Sequence, residues 1–193
     1  TLLVTHDGKR YNNKYYDLNQ ISLEDHDEKD VLDNCKTLLN EAIKKRIVIS
    51  DVPVGILLSG GLDSSIITAM AKNINENLNT YSIGFNSIDN EVGDEFEYSS
   101  RVSDSFSTTH YKYFMNDENL FSCLDYVIGN MSEPMFSQDS SAFNILAKNV
   151  SENQKVVLSG QGADEVFGGY FWYEQINNDD TQSDIDVFAK YYF

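Results

Sequence analysis

Apolar positions between residues 31 and 158 follow two alternating rhythms. Val31, Cys35, Leu38, Leu39, Ala42, Ile43 and Ile47 recur three and four residues apart, which predicts a helix over Val31–Ile47. A short unbroken apolar run, Val54–Leu58, then predicts a buried strand, and Ser64–Lys72 returns to helical spacing. Downstream the pattern predicts strands at Thr80–Phe85, Thr108–Met115 and Lys155–Leu158. Helices are predicted at Asp94–Phe106, Asn119–Ile128 and Ser140–Val150. Short apolar strands alternating with amphipathic helices predict an α/β protein with a doubly wound, Rossmann-like parallel sheet. Ahead of this series, residues 2–11 predict a small hairpin turning at Asp7–Gly8, and the charged run Glu24–Asp30 a linker.

Composition narrows the function. Of 193 residues, 41% are hydrophobic and 12% aromatic, enough for a packed core. The formal net charge is −17, with 31 acidic residues against 14 lysines and arginines. Such a surface repels nucleic acid and anionic membranes, so neither is expected as a partner. It repels free nucleotides too, unless a metal ion neutralises phosphate charge locally. Two cysteines in apolar helical patterns, Cys35 and Cys123, read as free thiols and fit a reducing, cytoplasmic compartment. His6, His26 and His110 are scattered and read as structural.

The chemistry concentrates where two of the predicted strands end. Val54–Leu58 runs into Ser59, Gly60, Gly61, Leu62, Asp63, Ser64 and Ser65, then into a helix. Glycine at Gly60 and Gly61 permits φ > 0 and a close approach of backbone to phosphate. The serine hydroxyls are donors, and Asp63 is a hard oxygen ligand suited to Mg²⁺. No lysine lies between Arg46 and Lys72, so this is not a Walker P-loop. A strand–turn–helix with an ordinary serine cap is the plainer alternative. The same grammar returns after Lys155–Leu158, as Ser159, Gly160, Gln161, Gly162, Ala163, Asp164 and Glu165. If the two strands are sheet neighbours, Asp63 and Asp164 face one crevice and can share a Mg²⁺ ion; Glu165 reads as a helix-end charge.

SGGLDSS at residues 59–65 resembles the pyrophosphate loop of the N-type ATP pyrophosphatases. Together with SGQGADEVFGGY at 159–170, it resembles the synthetase domain of glutamine-hydrolysing asparagine synthetases. TYSIGF (80–85), Asp94–Tyr98 and Glu133–Pro134 resemble further family segments. The resemblance implies an adenine nucleotide alpha hydrolase-like fold and the cofactors ATP and Mg²⁺. It also implies a two-step reaction: aspartate is adenylated with release of pyrophosphate, and ammonia then gives asparagine and AMP. By matching, Ser59, Gly61, Asp63 and Ser64 hold pyrophosphate and metal, beside Gly60. Ile83, Gly84 and Leu57 line an adenine pocket, Ser159 and Gly160 contact the nucleotide, and Asp164 shares the metal. Residues 1–20 resemble the tail of a glutaminase domain and its linker, with residues 21–193 a synthetase domain incomplete at its C-terminal end.

One position departs from the family pattern. Where familiar bacterial members carry a glutamate linked to catalysis, this chain has Gln161, which cannot accept a proton and can only orient by hydrogen bonds. The acceptor carboxylate is therefore open between aspartate and another small carboxylate, and a non-catalytic nucleotide-binding module is a further alternative. The ammonia-supplying glutaminase half is absent from the sequence, so the isolated chain is expected to be poorly active. Association into a homodimer is left open.

Overall fold

In the computed structural model, residues 1–17, 26–85, 96–133, 138–177, 186–188 and 190 are described. The chain divides into two units, Thr1–Leu39 and Asn40–Phe193. The first contains an antiparallel hairpin, β1 (Leu2–Val4) with β2 (Arg10–Asn12). Its turn closes through Gly8 at φ +78°, whose N–H donates to the Thr5 carbonyl at 2.9 Å. Helix α1 (Glu28–Ile49) opens with Glu28 and Asp30, so the expected charged linker already belongs to a helix by residue 28. Acidic side chains in a first turn complement the positive helix end. The expected apolar stripe of α1 is only partly used. Ile43 is buried and Ile47 packs beside it, whereas Val31 and Leu38 are exposed.

The second unit is built on a four-stranded parallel sheet in the order β5-β4-β3-β6. The strands are β3 (Val54–Leu57), β4 (Asn79–Phe85), β5 (Thr109–Met115) and β6 (Val156–Leu158). Because side chains alternate along a strand, consecutive residues feed opposite layers. Ile56 packs with Ile43 and Ile47 of α1 and with Ile67, Met70 and Ala71 of α2 (Leu62–Lys72). Leu57, one residue on, joins Tyr81, Ile83 and Val157 against Leu146 and Val150 of α5 (Gln138–Ser151). Helices thus cover both faces, and the doubly wound parallel sheet is the observed fold. Ile56 and Leu58 are 0% and 1% exposed, and full burial of such side chains stabilises by roughly 1.5–3 kcal/mol each.

The remaining helices are α3 (Phe96–Phe106), α4 (Asp117–Asn130), α6 (Ala163–Phe167) and α7 (Phe171–Asn177). Helix α4 starts at Asp117, two residues before the expected Asn119, because Asn116 caps it by accepting the Asn119 N–H at 2.8 Å. Residues 86–95 and 134–137, with the family-like positions Asp94 and Pro134, lie outside the described residues. One feature of the strand order fixes where a ligand can sit. From β3 the chain moves outward to β4 and β5, then returns to place β6 on β3's other side. That reversal opens a crevice at the carboxyl ends of β3 and β6.

Candidate functional site

The β3–β6 register pairs Val54 with Val156, Gly55 with Val157 and Ile56 with Leu158, so the two turns emerge side by side. A cavity of about 270 Å³ lies between them. Its polar lining is Ser59, Gly61, Asp63 and Ser64 from the first turn and Ser159, Gly160, Gln161 and Asp164 from the second. The apolar side chains Leu57, Ile83, Phe143 and Leu146 also line it, with Tyr81 and Ser82. Asp63 and Asp164 therefore do line one crevice. Gly60 and Gly84 do not line it. Gly60 braces the loop from behind, and Gly84 is buried in β4 opposite Phe114 of β5.

The first turn is fixed by its own hydroxyls. Ser59 Oγ and Ser64 Oγ are 3.0 Å apart, and the Gly60 and Gly61 N–H groups donate to Ser64 Oγ (3.3 Å) and Ser59 Oγ (3.2 Å). Ser65 Oγ donates to the Gly61 carbonyl at 2.6 Å. The serine-cap alternative is not what forms. The residue preceding α2 is Gly61, and no side chain caps the helix there. First-turn amides have no intrahelical acceptors, and the helix dipole favours an anion in front of them. Gly60 adopts φ +96°, and a Cβ there would lie 2.5 Å from the Ser99 N of α3. Gly61 differs from expectation: its backbone is extended, φ −68° and ψ 172°. Among the described residues a Cβ on Gly61 would meet only Ser59 Oγ, at 3.5 Å, so none of them demands glycine there.

Gly160 and Gly169 bring the two acids into place. A Cβ on Gly160 would lie 2.9 Å from Asp63 Cβ, so the second turn can close on the first only without a side chain. A Cβ on Gly169 would lie 2.1 Å from Asp164 Oδ1, since the Asp164 carboxylate occupies that space. Helix α6 is bounded by Gly162 at φ +91° and Gly168 at φ +68°. Neighbouring Tyr170 donates its hydroxyl to Glu165 Oε1 at 2.8 Å, and this bond, more than burial, pushes the phenol up to about 12. Glu165 is thus occupied by Tyr170 and is not among the cavity-lining residues.

The described lining carries two carboxylates and no lysine or arginine. Among the described residues no group of three or more His, Cys, Asp or Glu gathers to hold a metal by itself. Two hard oxygen ligands suit a magnesium ion that completes its shell with substrate phosphate and water. The donor set fits that ion.

His110 is engaged in a buried hydroxyl cluster, as its structural reading requires, with Thr80 Oγ1 2.9 Å from Nδ1 and Ser99 Oγ 3.2 Å from Nε2. Cys35 and Cys123 are both free and partly buried. Sequence reasoning missed Phe143 and Leu146. The only signal was their three-residue spacing on α5, which any core-facing helix shares. No helix among the described residues is long and apolar enough to cross a membrane.

The fold and the paired turns define an α/β protein of the adenine nucleotide alpha hydrolase-like class. Glutamine-dependent NAD⁺ synthetase from Acinetobacter baumannii, solved in complex with ADP, shares that fold. It superposes with TM-score 0.54 at 17% identity over 77% of this chain and 29% of that one. Residues 34–191 match the asparagine synthase family, and the chain belongs to it. It is 33% identical over 156 residues to glutamine-hydrolyzing asparagine synthetase 3 of Bacillus subtilis, covering 75% of this chain and 25% of that protein. It is 31% identical over 150 residues to the glutamine-hydrolyzing asparagine synthetase of Homo sapiens, covering 75% and 27% respectively. The chain thus spans about a quarter of the length of these curated relatives.

Proposed function

We propose that residues 21–193 form the ATP-pyrophosphatase part of a cytoplasmic amide-forming synthetase, with residues 1–20 the end of a glutaminase-type domain and linker. A carboxylate oxygen of aspartate attacks the α-phosphorus of ATP, and pyrophosphate leaves towards the Ser59–Ser64 turn. Ammonia, supplied by glutamine hydrolysis outside this chain, then attacks the acyl carbon; AMP leaves and asparagine forms. A carboxylate is a poor electrophile, and the adenylate makes its carbon attackable.

The observation that carries this reading is the meeting of two acid-bearing turns in one cavity at the sheet's switch point, with an apolar pocket beside them. Leu57, Ile83, Phe143 and Leu146 offer a planar base an apolar slot. Ser59, Gly61, Ser64, Ser159 and Gly160 offer phosphate oxygens hydroxyl and backbone donors. Asp63 and Asp164 would hold Mg²⁺, which when bound neutralises phosphate charge. The chain's own contribution is positioning and charge stabilisation.

Calorimetric titration with Mg·ATP tests the reading. Asp63→Asn and Asp164→Asn should each weaken binding by about tenfold or more, as expected when a charged contact is lost. Unchanged affinity in both variants would overturn it. A second reading, nucleotide binding without turnover, is favoured by Gln161, which lines the cavity but accepts no proton. Acceptor-dependent release of pyrophosphate and AMP, assayed with ammonia over a panel of carboxylates, separates the two and identifies the acceptor.

A further inference from the structure

Behind the first turn lies a hydroxyl–imidazole network that no step above uses. It sits on the α3 side of the sheet, where Thr80 of β4 is the register partner of His110 of β5. His110 Nδ1 is 2.9 Å from Thr80 Oγ1, and its Nε2 lies 3.2 Å from Ser99 Oγ and 3.4 Å from Ser82 Oγ. Ser99 and Thr80 are fully buried, and Ser82 is 5% exposed. The network touches the site twice. Ser82 lines the cavity and donates to the carbonyl of Leu58, the residue before the turn. Ser99 belongs to the α3 backbone against which Gly60 is pressed.

Counting protons assigns the direction of each bond. A serine hydroxyl has one proton. Ser82 donates its proton to the Leu58 carbonyl, and Ser99 donates its own to the Phe96 carbonyl at 3.3 Å. With both protons so placed, both oxygens accept from His110, an arrangement that puts the hydrogen on Nε2. Nδ1 is then the bare acceptor and receives the Thr80 hydroxyl proton. Thr108 Oγ1 is 2.9 Å from Thr80 Oγ1 and 2.8 Å from Ser103 Oγ, whose own proton goes to the Thr108 carbonyl at 3.3 Å.

We propose that His110, with its proton on Nε2, is a positioning residue that holds the Ser59–Ser64 turn by clamping Ser82 and Ser99 together. One imidazole N–H shared between them couples the cavity wall to the helix that supports Gly60. The same burial that orders this cluster, with Lys112 nearby, holds the imidazole below its usual range and outweighs the opposing pull of the Thr80 backbone and Asp104. That the turn so positioned receives pyrophosphate rests on the function proposed above.

Two glutamine-family substitutions separate this role from mere packing. The amide nitrogen of glutamine reaches the place of Nε2, whereas that of asparagine reaches only the place of Nδ1. In the full 193-residue chain, His110→Gln should leave the Gly60 and Gly61 amide resonances close to wild type, and His110→Asn should move both. Titrated with magnesium pyrophosphate, His110→Gln should keep its affinity, whereas His110→Asn should lose roughly tenfold, the usual scale for a buried partner left unsatisfied. In the wild-type chain, ¹⁵N-histidine spectra should show His110 protonated at Nε2 alone. A His110 found protonated at Nδ1, or equal effects of the two substitutions on the glycine resonances, would overturn the proposal. Should the wild-type chain bind no magnesium pyrophosphate, the functional reading fails by itself, and the imidazole and glycine resonances still decide the role of His110. Should His110→Asn fail to fold, the tautomer and the His110→Gln resonances carry the decision.

Discussion

The two strand-to-helix turns share a grammar but not a construction. Ser59–Ser65 is laced by five hydroxyl–backbone or hydroxyl–hydroxyl bonds, backed by α3 and followed by an eleven-residue helix. Ser159–Glu165 has one such bond, from the Gln161 N–H to Ser159 Oγ at 3.2 Å, and leads into a helix of only five residues. The first is built to hold a backbone shape, and long α2 gives it a helix end for an anion. The second is built to deliver one side chain: Gly169 clears the space that the Asp164 carboxylate fills. Similar sequence at two strand ends thus serves two tasks, a cradle and a pointer.

The largest effect should come from testing that contrast at its left-handed glycines. Gly60→Ala combines an unfavourable φ of +96° with a Cβ 2.5 Å from the Ser99 N. Strain of roughly 1–2 kcal/mol and overpacking of roughly 1–3 kcal/mol should add to a loss of about 3 kcal/mol in urea unfolding. Gly162→Ala has similar φ, +91°, but nothing within 4 Å of the new Cβ. It should therefore cost only about 1 kcal/mol. Equal losses would mean that α3 does not brace the first turn.

A smaller effect is expected from Gly169→Ala. Its Cβ would displace the Asp164 carboxylate, so Mg²⁺-dependent nucleotide affinity should fall several-fold, about 1 kcal/mol, with little change in unfolding midpoint. A large stability loss with unchanged affinity would break the pointer description. The smallest effect is on acid stability. His110 is held below its ordinary value of 6.5 first by burial and then by Lys112. The native state thus binds fewer protons than the unfolded state below pH 6.5, and stability falls as pH drops through that window towards the folded value. Urea midpoints measured on either side of that window should show the slope, and His110→Gln should flatten it.

Much of this was legible in the sequence because two periodicities dominate the second unit. Strand β4 was predicted within one residue, and Asp63 and Asp164 were placed by the repeated Ser-Gly turn after an apolar strand. What pattern could not supply was adjacency. That β6 lies against β3 was a condition in the sequence reading and became a fact only through the register of Gly55 and Val157. The apolar wall from Phe143 and Leu146 was illegible for a different reason: a helix face that lines a cavity carries the same stripe as one that fills a core. Gly61 shows the converse. Two adjacent glycines suggested two left-handed residues, yet only Gly60 meets α3, so only Gly60 has to bend that way.

If the cleft takes the nucleotide proposed above, its described lining, with two carboxylates and no ammonium or guanidinium group, would discriminate by the ionic form of its visitor. Uncomplexed nucleotide, with charge of the same sign as its host, would be turned away, whereas the chelate would enter with much of that charge already cancelled. Occupancy would then track the fraction of nucleotide carrying a divalent ion rather than its total concentration, and a chelator would empty the cleft without touching the protein.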